Sequence, residues 1–410
     1  MPSATPLPRG PSHLALFGAE DLLRSAGCPV CRYVAEGSDR FLGWFALEAH
    51  AEPSMITRLC QSLGLCPAHT RGLLGQPGAE SRMTAVYLYL LRAAAGYLTA
   101  GTSPPAPCLA CTRDTEAAQR ALDTLLTGLR EEDLCERYRD TGGLCLPHLR
   151  AAMPRGRRLA AWLAGEMAAR LAGGPPDLAV IAGDRDADAD IRARLRTVLP
   201  ASSASGSPGG GGVCPVCLAA AQAERDVLGR ADGTGLCPAH LYDACSALAD
   251  GPGPLNAAAQ LLALEAERSI VWLAETASPA SLRSALRMFA DRRRGSRDGG
   301  VPDECAACQA AEAATGRMLE TLRHTPAVHA PALCLRHVMS LRQQDPRGAD
   351  GAVRVASRRT ESVLRELEEA FRKRSWAHRH EPRGSEMTAW RRAAALIDGR
   401  VYGGGPPGPL

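Results

Sequence analysis

The chain has little of what large cores and polyanion-binding surfaces are made from. Aromatic residues are 4% of its 410 residues, so Ala and Leu must fill the cores with few large anchors, and small cores of that kind call for staples. Lysine is nearly absent: Lys373 is the only one, and arginine supplies the rest of 48 basic residues against 44 acidic ones. Net charge alone therefore points to no polyanionic partner. No apolar run reaches membrane-spanning length, since the longest candidate, 86–98, contains Arg92 and three tyrosines. Residues 1–10 lack the basic stretch followed by an apolar one that marks an export signal. These absences argue against a membrane protein and a secreted one. A hydrophobic share of 45% with 22% charged residues argues against a disordered one. The expected location is the cytoplasm, and the length suggests two to four domains.

Cysteine is what the chain has in excess, with 15 residues. In a reducing compartment, metal ligation explains such a number better than disulfides do. Twelve of them fall into a strict alternation of Cys-x-x-Cys and Cys-x-x-His. Cys28 and Cys31 are followed by Cys66 and His69, and Cys108 and Cys111 by Cys145 and His148. Further on, Cys214 and Cys217 precede Cys237 and His240, and Cys305 and Cys308 precede Cys334 and His337. Three thiolates and one imidazole make a Cys3His set that closes a tetrahedral shell around Zn²⁺, so about four zinc ions per chain are expected. Two residues between ligands let one short turn aim both side chains at one ion. A helix-like stretch follows each half-site, which places the ligands at helix N-termini, where partial positive charge favours thiolates.

The intervals between half-sites read as helices. Tyr33, Phe41, Leu42, Phe45 and Ile56 recur at helical spacing, with a break at 49–54. Leu122, Leu125, Leu126 and Leu129, then Leu134 and Tyr138, repeat that plan. Glycines precede the ligand at Gly64-Leu65-Cys66, Gly142-Gly143-Leu144-Cys145 and Gly235-Leu236-Cys237, where positive φ would end one helix and present the next pair. Closing helices are expected at 81–99, 157–172, 255–277 and 351–376. The expected fold is all-α: four tandem metal-stapled helical modules arranged as two pairs, each module holding its own four ligands. The boundaries follow as 1–19 disordered, 20–101 module one, 104–200 module two, and 201–212 a Ser/Gly-rich linker. Module three is 213–291, module four 302–378, and 379–410 a mostly disordered tail with a short helical piece near 387–397.

The stretches Cys28 to His69, with Asp39-Arg40-Phe41-Leu42 inside, and Cys108 to His148, with Gly142-Gly143-Leu144-Cys145, resemble a bacterial domain family of unknown function. Its members carry Cys-Pro-x-Cys, a Tyr/Phe-Leu-rich helix and a Gly-Phe/Leu-Cys-x-x-His turn. The resemblance covers about half the chain, implies the same metal-and-helix build and brings no catalytic residues. The Arg, Ala, Gly and Pro bias also suits a GC-rich bacterial genome.

Other chemistries compete for the same residues. An iron–sulfur cluster is the second metal reading, though clusters usually take four cysteines. His50-Ala51-Glu52 with Cys108 and Cys111 mimics a zinc deaminase set, but it would strand Cys145 and His148. Asp184, Asp186, Asp188 and Asp190 lack the glycine and terminal acid of a calcium loop. Cys60, Cys135 and Cys245 read as packing residues. Arg292–Arg294 and the run from Arg354 to Arg379 could contact phosphate, but Glu361, Glu366, Glu368 and Glu369 partly neutralise the second. The leading expectation is a non-enzymatic zinc scaffold or adaptor that binds a protein partner. A nucleic-acid-binding regulator comes second, and an enzyme or redox protein with an iron–sulfur or open zinc site third.

Overall fold

The computed structural model describes residues 13–155, 157–172, 214–230, 240, 305–323 and 332–399. The fold is all-α, with fourteen α-helices and no strand among the described residues. In chain order they are α1 (His13–Leu22), α2 (Pro29–Leu47), α3 (Pro53–Ser62), α4 (Pro67–Leu74), α5 (Ala79–Ala100), α6 (Leu109–Gly128) and α7 (Glu132–Asp140). There follow α8 (Leu146–Ala152), α9 (Arg157–Ala172), α10 (Pro215–Arg230), α11 (Ala306–Arg323), α12 (Leu335–Gln344), α13 (Asp350–Lys373) and α14 (Ala389–Asp398). No helix of the described residues is long and apolar enough to cross a membrane.

Two compact units emerge, and neither is a continuous stretch. The first gathers Met1–Glu36, Thr115–Ser203 and Leu228–Ala306, and the second gathers Gly37–Asp114, Ala204–Val227 and Ala307–Leu410. This differs from the expectation of consecutive modules at 20–101 and 104–200, because the chain leaves and re-enters each unit. The cuts at Glu36 and Asp114 fall inside α2 and α6. The 201–212 linker, the 255–277 helix, Asp184–Asp190, Arg292–Arg294, Cys237 and Cys245 lie outside the described residues.

In the first unit, Leu22, Leu122, Leu125, Leu163 and Tyr138 form one buried cluster that includes Cys28, Cys31 and Cys145. The Tyr138 ring lies 5.4 Å from that of Trp162. Its hydroxyl accepts the Leu144 N–H at 2.9 Å, which pins the turn leading to Cys145. Ala19 is fully buried here, so ordered structure begins well inside the stretch 1–19 expected to be disordered. Apolar contact, rather than a longer periodic pattern, holds this short helix in place.

In the second unit, α5 and α13 lie along one another and α14 packs on both. Phe45, Leu91, Leu367 and Trp390 share its core. From α12, Arg336 donates to the carbonyls of Ser62 and Leu63 at the end of α3, and Arg342 donates to Leu98 near the end of α5. Both cations thus meet the electron-rich ends of helices. The acidic residues of α13 pair as their spacing suggested: Arg372 with Glu369 at 2.7 Å, and Arg92 of α5 with Glu368 at 2.9 Å. At the last residue of the helix, Lys373 reaches Glu386 at 2.9 Å.

The segment 379–399 is not a disordered tail. Trp390, Ala393, Leu396 and Ile397 are buried in the second core, because α14 presents an apolar face for α5 and α13 to cover. Trp390→Ala should therefore cost about 3–5 kcal/mol in chemical denaturation followed by circular dichroism; a cost below about 1 kcal/mol would contradict this packing.

Candidate metal centres

Each ligand pair is built by the same local device. The first cysteine of a pair sits one residue before a helix, and its carbonyl accepts that helix's first backbone hydrogen bond. Cys28 accepts from Arg32, Cys66 from Thr70, Cys108 from Thr112, Cys145 from Leu149, Cys214 from Leu218 and Cys334 from Val338, at 2.8–3.1 Å. Cys66, Cys145 and Cys334 are extended, with ψ near 160°, and proline occupies the first turn after Cys66 and Cys145. The glycines supply the approach: Gly64 and Gly142 both have φ of 84°, as the Gly-Leu-Cys pattern required. The second ligand, three residues on, then lies above the first on the same helical face.

Four groups result. Cys28 and Cys31 meet Cys145 and His148 in the first unit. In the second unit, Cys66 and His69 meet Cys108 and Cys111, while Cys214 and Cys217 meet Cys334 and His337. His240, Cys305 and Cys308 form the fourth group, whose expected partner Cys237 is outside the described residues.

The structure brings together the expected residue types but pairs the halves differently. No Cys-x-x-Cys joins the Cys-x-x-His that follows it: the first takes the second Cys-x-x-His, and the second Cys-x-x-Cys takes the first. The later motifs cross in the same way. Local geometry is the physical reason: the spacing inside every half-site is the same, so the turn fixes each pair but leaves its partner open, and the packing of the helices within each unit decides which pairs meet.

The donor geometry fits one ion per group. Bonds of about 2.3 Å to sulfur and about 2.0–2.1 Å to nitrogen put tetrahedral edges at roughly 3.8 Å between sulfurs and roughly 3.6 Å from sulfur to nitrogen. His148 Nδ1 lies 3.5, 3.3 and 3.2 Å from the sulfurs of Cys28, Cys31 and Cys145. His337 Nδ1 lies 3.5, 3.4 and 3.1 Å from those of Cys214, Cys217 and Cys334. His69 Nδ1 lies 3.2, 3.7 and 3.4 Å from those of Cys66, Cys108 and Cys111. Sulfurs approach to 3.6 Å for Cys31 with Cys145 and 3.9 Å for Cys217 with Cys334, far beyond the roughly 2.0 Å of a disulfide. His240 Nδ1 is 3.3 Å from Cys305.

The groups differ in surroundings. Cys28, Cys31 and Cys145 are buried, as are Cys214 and Cys334, whereas all four donors of the Cys66 group are half-buried. Against the Cys214 group lies the end of α14, where Gly399 has φ of 73° and a Cβ there would fall 2.6 Å from the Cys217 sulfur. Behind His69, the Nε2–H donates to Asp114 Oδ2 at 2.8 Å, and Ser38 Oγ–H donates to the same oxygen at 3.3 Å. Neither residue stood out in the ligand pattern, although Asp114 follows Cys111 by three, one helical step along the ligand face.

Thiol acidity is organised alike in the three complete groups. Burial raises the Cys28 thiol, but hydrogen bonds from Cys145, Cys31 and His148 override it and hold Cys28 well below the ordinary range. The Cys66 hydrogen bond pulls Cys108 down to about 3, and bonds from Cys217 and Cys334 pull Cys214 down. Their donors Cys66, Cys145 and Cys334 are pushed up in exchange. In these three groups the first cysteine of the Cys-x-x-Cys is thus the one most readily held as thiolate. Asp114 raises His69 to about 10, since its carboxylate stabilises the imidazolium.

Cys60 and Cys135 stand apart from every group. Their thiols lie against the carbonyls of Tyr89 and Leu129, and burial raises both. The deaminase-like set is not formed, because Cys108 and Cys111 gather with Cys66 and His69 rather than His50.

The crossed pairing has a direct test in metal content. Cys31→Ser and His148→Ala should each remove one ion per chain, and the double variant should also lose one. Cys31→Ser with Cys66→Ser should lose two. Mass-spectrometric metal counting that gave the reverse pattern would restore ligand sets closed within modules. No protein-family model matches the chain, and no match is found among the curated proteins or the solved structures compared with it.

Proposed function

We propose that the chain is a cytoplasmic, non-enzymatic scaffold in which four structural zinc ions clip helices together and present a surface to a protein partner. The observation that carries this is the closed donor set: in each complete group the histidine nitrogen lies 3.1–3.7 Å from all three sulfurs, near a tetrahedral edge, and all four donors lie within 4.8 Å of one another. Four protein donors leave no position for water or substrate, which is the build of a structural site rather than a catalytic one. Donor atoms all within 4.8 Å of one another suit a single ion better than a cage of several irons. Zinc matches thiolate and imidazole donors in a tetrahedron.

Protein is favoured over nucleic acid by the fate of the basic run. Within that run Arg372 and Lys373 engage Glu369, Glu381 and Glu386, and beyond it Arg392 engages Glu366, so part of the basic charge is spent within the fold. Exposed Trp376, Phe371, Phe17 and Tyr89 are side chains of the kind that anchor protein interfaces.

Full-length protein purified without oxygen should be colourless and carry about four zinc ions. Chelation should abolish its cooperative unfolding, since each structural zinc contributes on the order of 10 kcal/mol. A chain that stays helical and cooperative after metal removal, or one coloured by iron, overturns the proposal. DNA or RNA retention that falls steeply with salt would transfer the role to nucleic acid.

A further inference from the structure

We infer that Asp114, steadied by Ser38, is a positioning residue that sets how firmly the Cys66/His69/Cys108/Cys111 centre holds its ion. The inference rests on the metal reading above and adds to it that the clips are unequal and one is tuned from outside its shell.

Three observations support it. The Asp114 carboxylate accepts the Nε2–H of His69 at 2.8 Å, while His69 Nδ1 faces all three sulfurs. One hydrogen bond thus places the ring proton on Nε2 and leaves the Nδ1 lone pair for the metal. The same carboxylate oxygen accepts the Ser38 hydroxyl at 3.3 Å, so α2 fixes a residue carried on α6 that orients a ligand carried on α4. Finally, the position is particular to this centre. Three residues after the second cysteine, the other Cys-x-x-Cys motifs carry Val34, Ala220 and Ala311, none able to accept a hydrogen bond through its side chain. No carboxylate is bonded to His148 or His337 among the described residues.

The four donors at this centre are only half-buried, unlike the buried cysteines of the Cys28 and Cys214 groups. Water and competing chelators therefore reach this shell more readily, and packing does less to hold the imidazole in place. A carboxylate that fixes the tautomer and raises ligand basicity compensates for that exposure. Loss of such an outer partner typically costs 10–100-fold in metal affinity.

The test uses zinc-loaded full-length parent, Asp114→Ala, Asp114→Asn and Ser38→Ala, each titrated with a chromogenic chelator. In Asp114→Ala a single ion per chain should transfer at roughly 10–100-fold lower chelator activity than in the parent, with the remaining ions unaffected. Asp114→Asn, which keeps an acceptor oxygen and loses the charge, should fall between the two, and Ser38→Ala should show a smaller shift. Cobalt-substituted Asp114→Ala should lose or shift the visible absorption of one centre only. Release unchanged from the parent in both Asp114 variants overturns the inference. So does equal loosening of every centre, which would mark a general packing role. A parent chain that binds no metal at all would instead overturn the metal reading itself.

Discussion

Everything in this fold depends on ligand pairs closing shells with pairs far away along the chain. In two of the complete groups the bridged residues are 114–123 positions apart, and in the third 39–45. A cross-link across so long a loop removes much more freedom from the unfolded chain than a local zinc turn does. The nested arrangement compounds this, because the inner shell of Cys66, His69, Cys108 and Cys111 lies wholly within the loop that the outer shell closes. Helices rich in Ala and Leu, with few aromatics, are thereby held in register that their own side chains would specify weakly.

The ligand cysteines also belong to the cores they staple. Cys28, Cys31 and Cys145 lie among Leu22, Leu125 and Leu163, and Cys214 and Cys334 among Leu335, Trp390 and Leu396. A bare thiolate in such surroundings would be costly. Neighbouring thiols and histidine donate to a single sulfur and lower that cost, and a cation would take the place of those donors. Metal binding and apolar burial are therefore coupled steps, each making the other more favourable.

Much of this was legible in the residues alone, because Cys-x-x-Cys and Cys-x-x-His are local geometry. The Cys and His positions that gather among the described residues, the helix that follows a pair, the break between α2 and α3, and the glycine turns at Gly64 and Gly142 are all set within a few residues of one another. Pairing was not legible in the same way. Every half-site has the same internal spacing, so nothing in the motif distinguishes its own partner from its neighbour's. The distinguishing information lies in how the helices pack within each unit, which no half-site carries. In the segment 379–399 the short helix α14 was legible near 387–397, but its burial was not, because that depends on the faces of α5 and α13. Asp114 was hidden because an acid three residues past a ligand looks like any solvated helix residue until its partner on α4 is placed beside it.

The crossed scheme also bears on what the molecule can do. A catalytic metal needs a free coordination position and usually a cleft, whereas these donors complete a tetrahedron at the start of helices whose other turns are committed to packing. Opening one shell to a substrate would release a long loop and the core residues attached to it. Chemistry and stability would then draw on the same bonds. The proposed structural role would remove that conflict, since the ions would do all their work by staying in place. In the half-buried Cys66 centre a carboxylate fixes the histidine from behind. There exposure and outer support occur together, as expected where an ion must be retained without a buried shell around it.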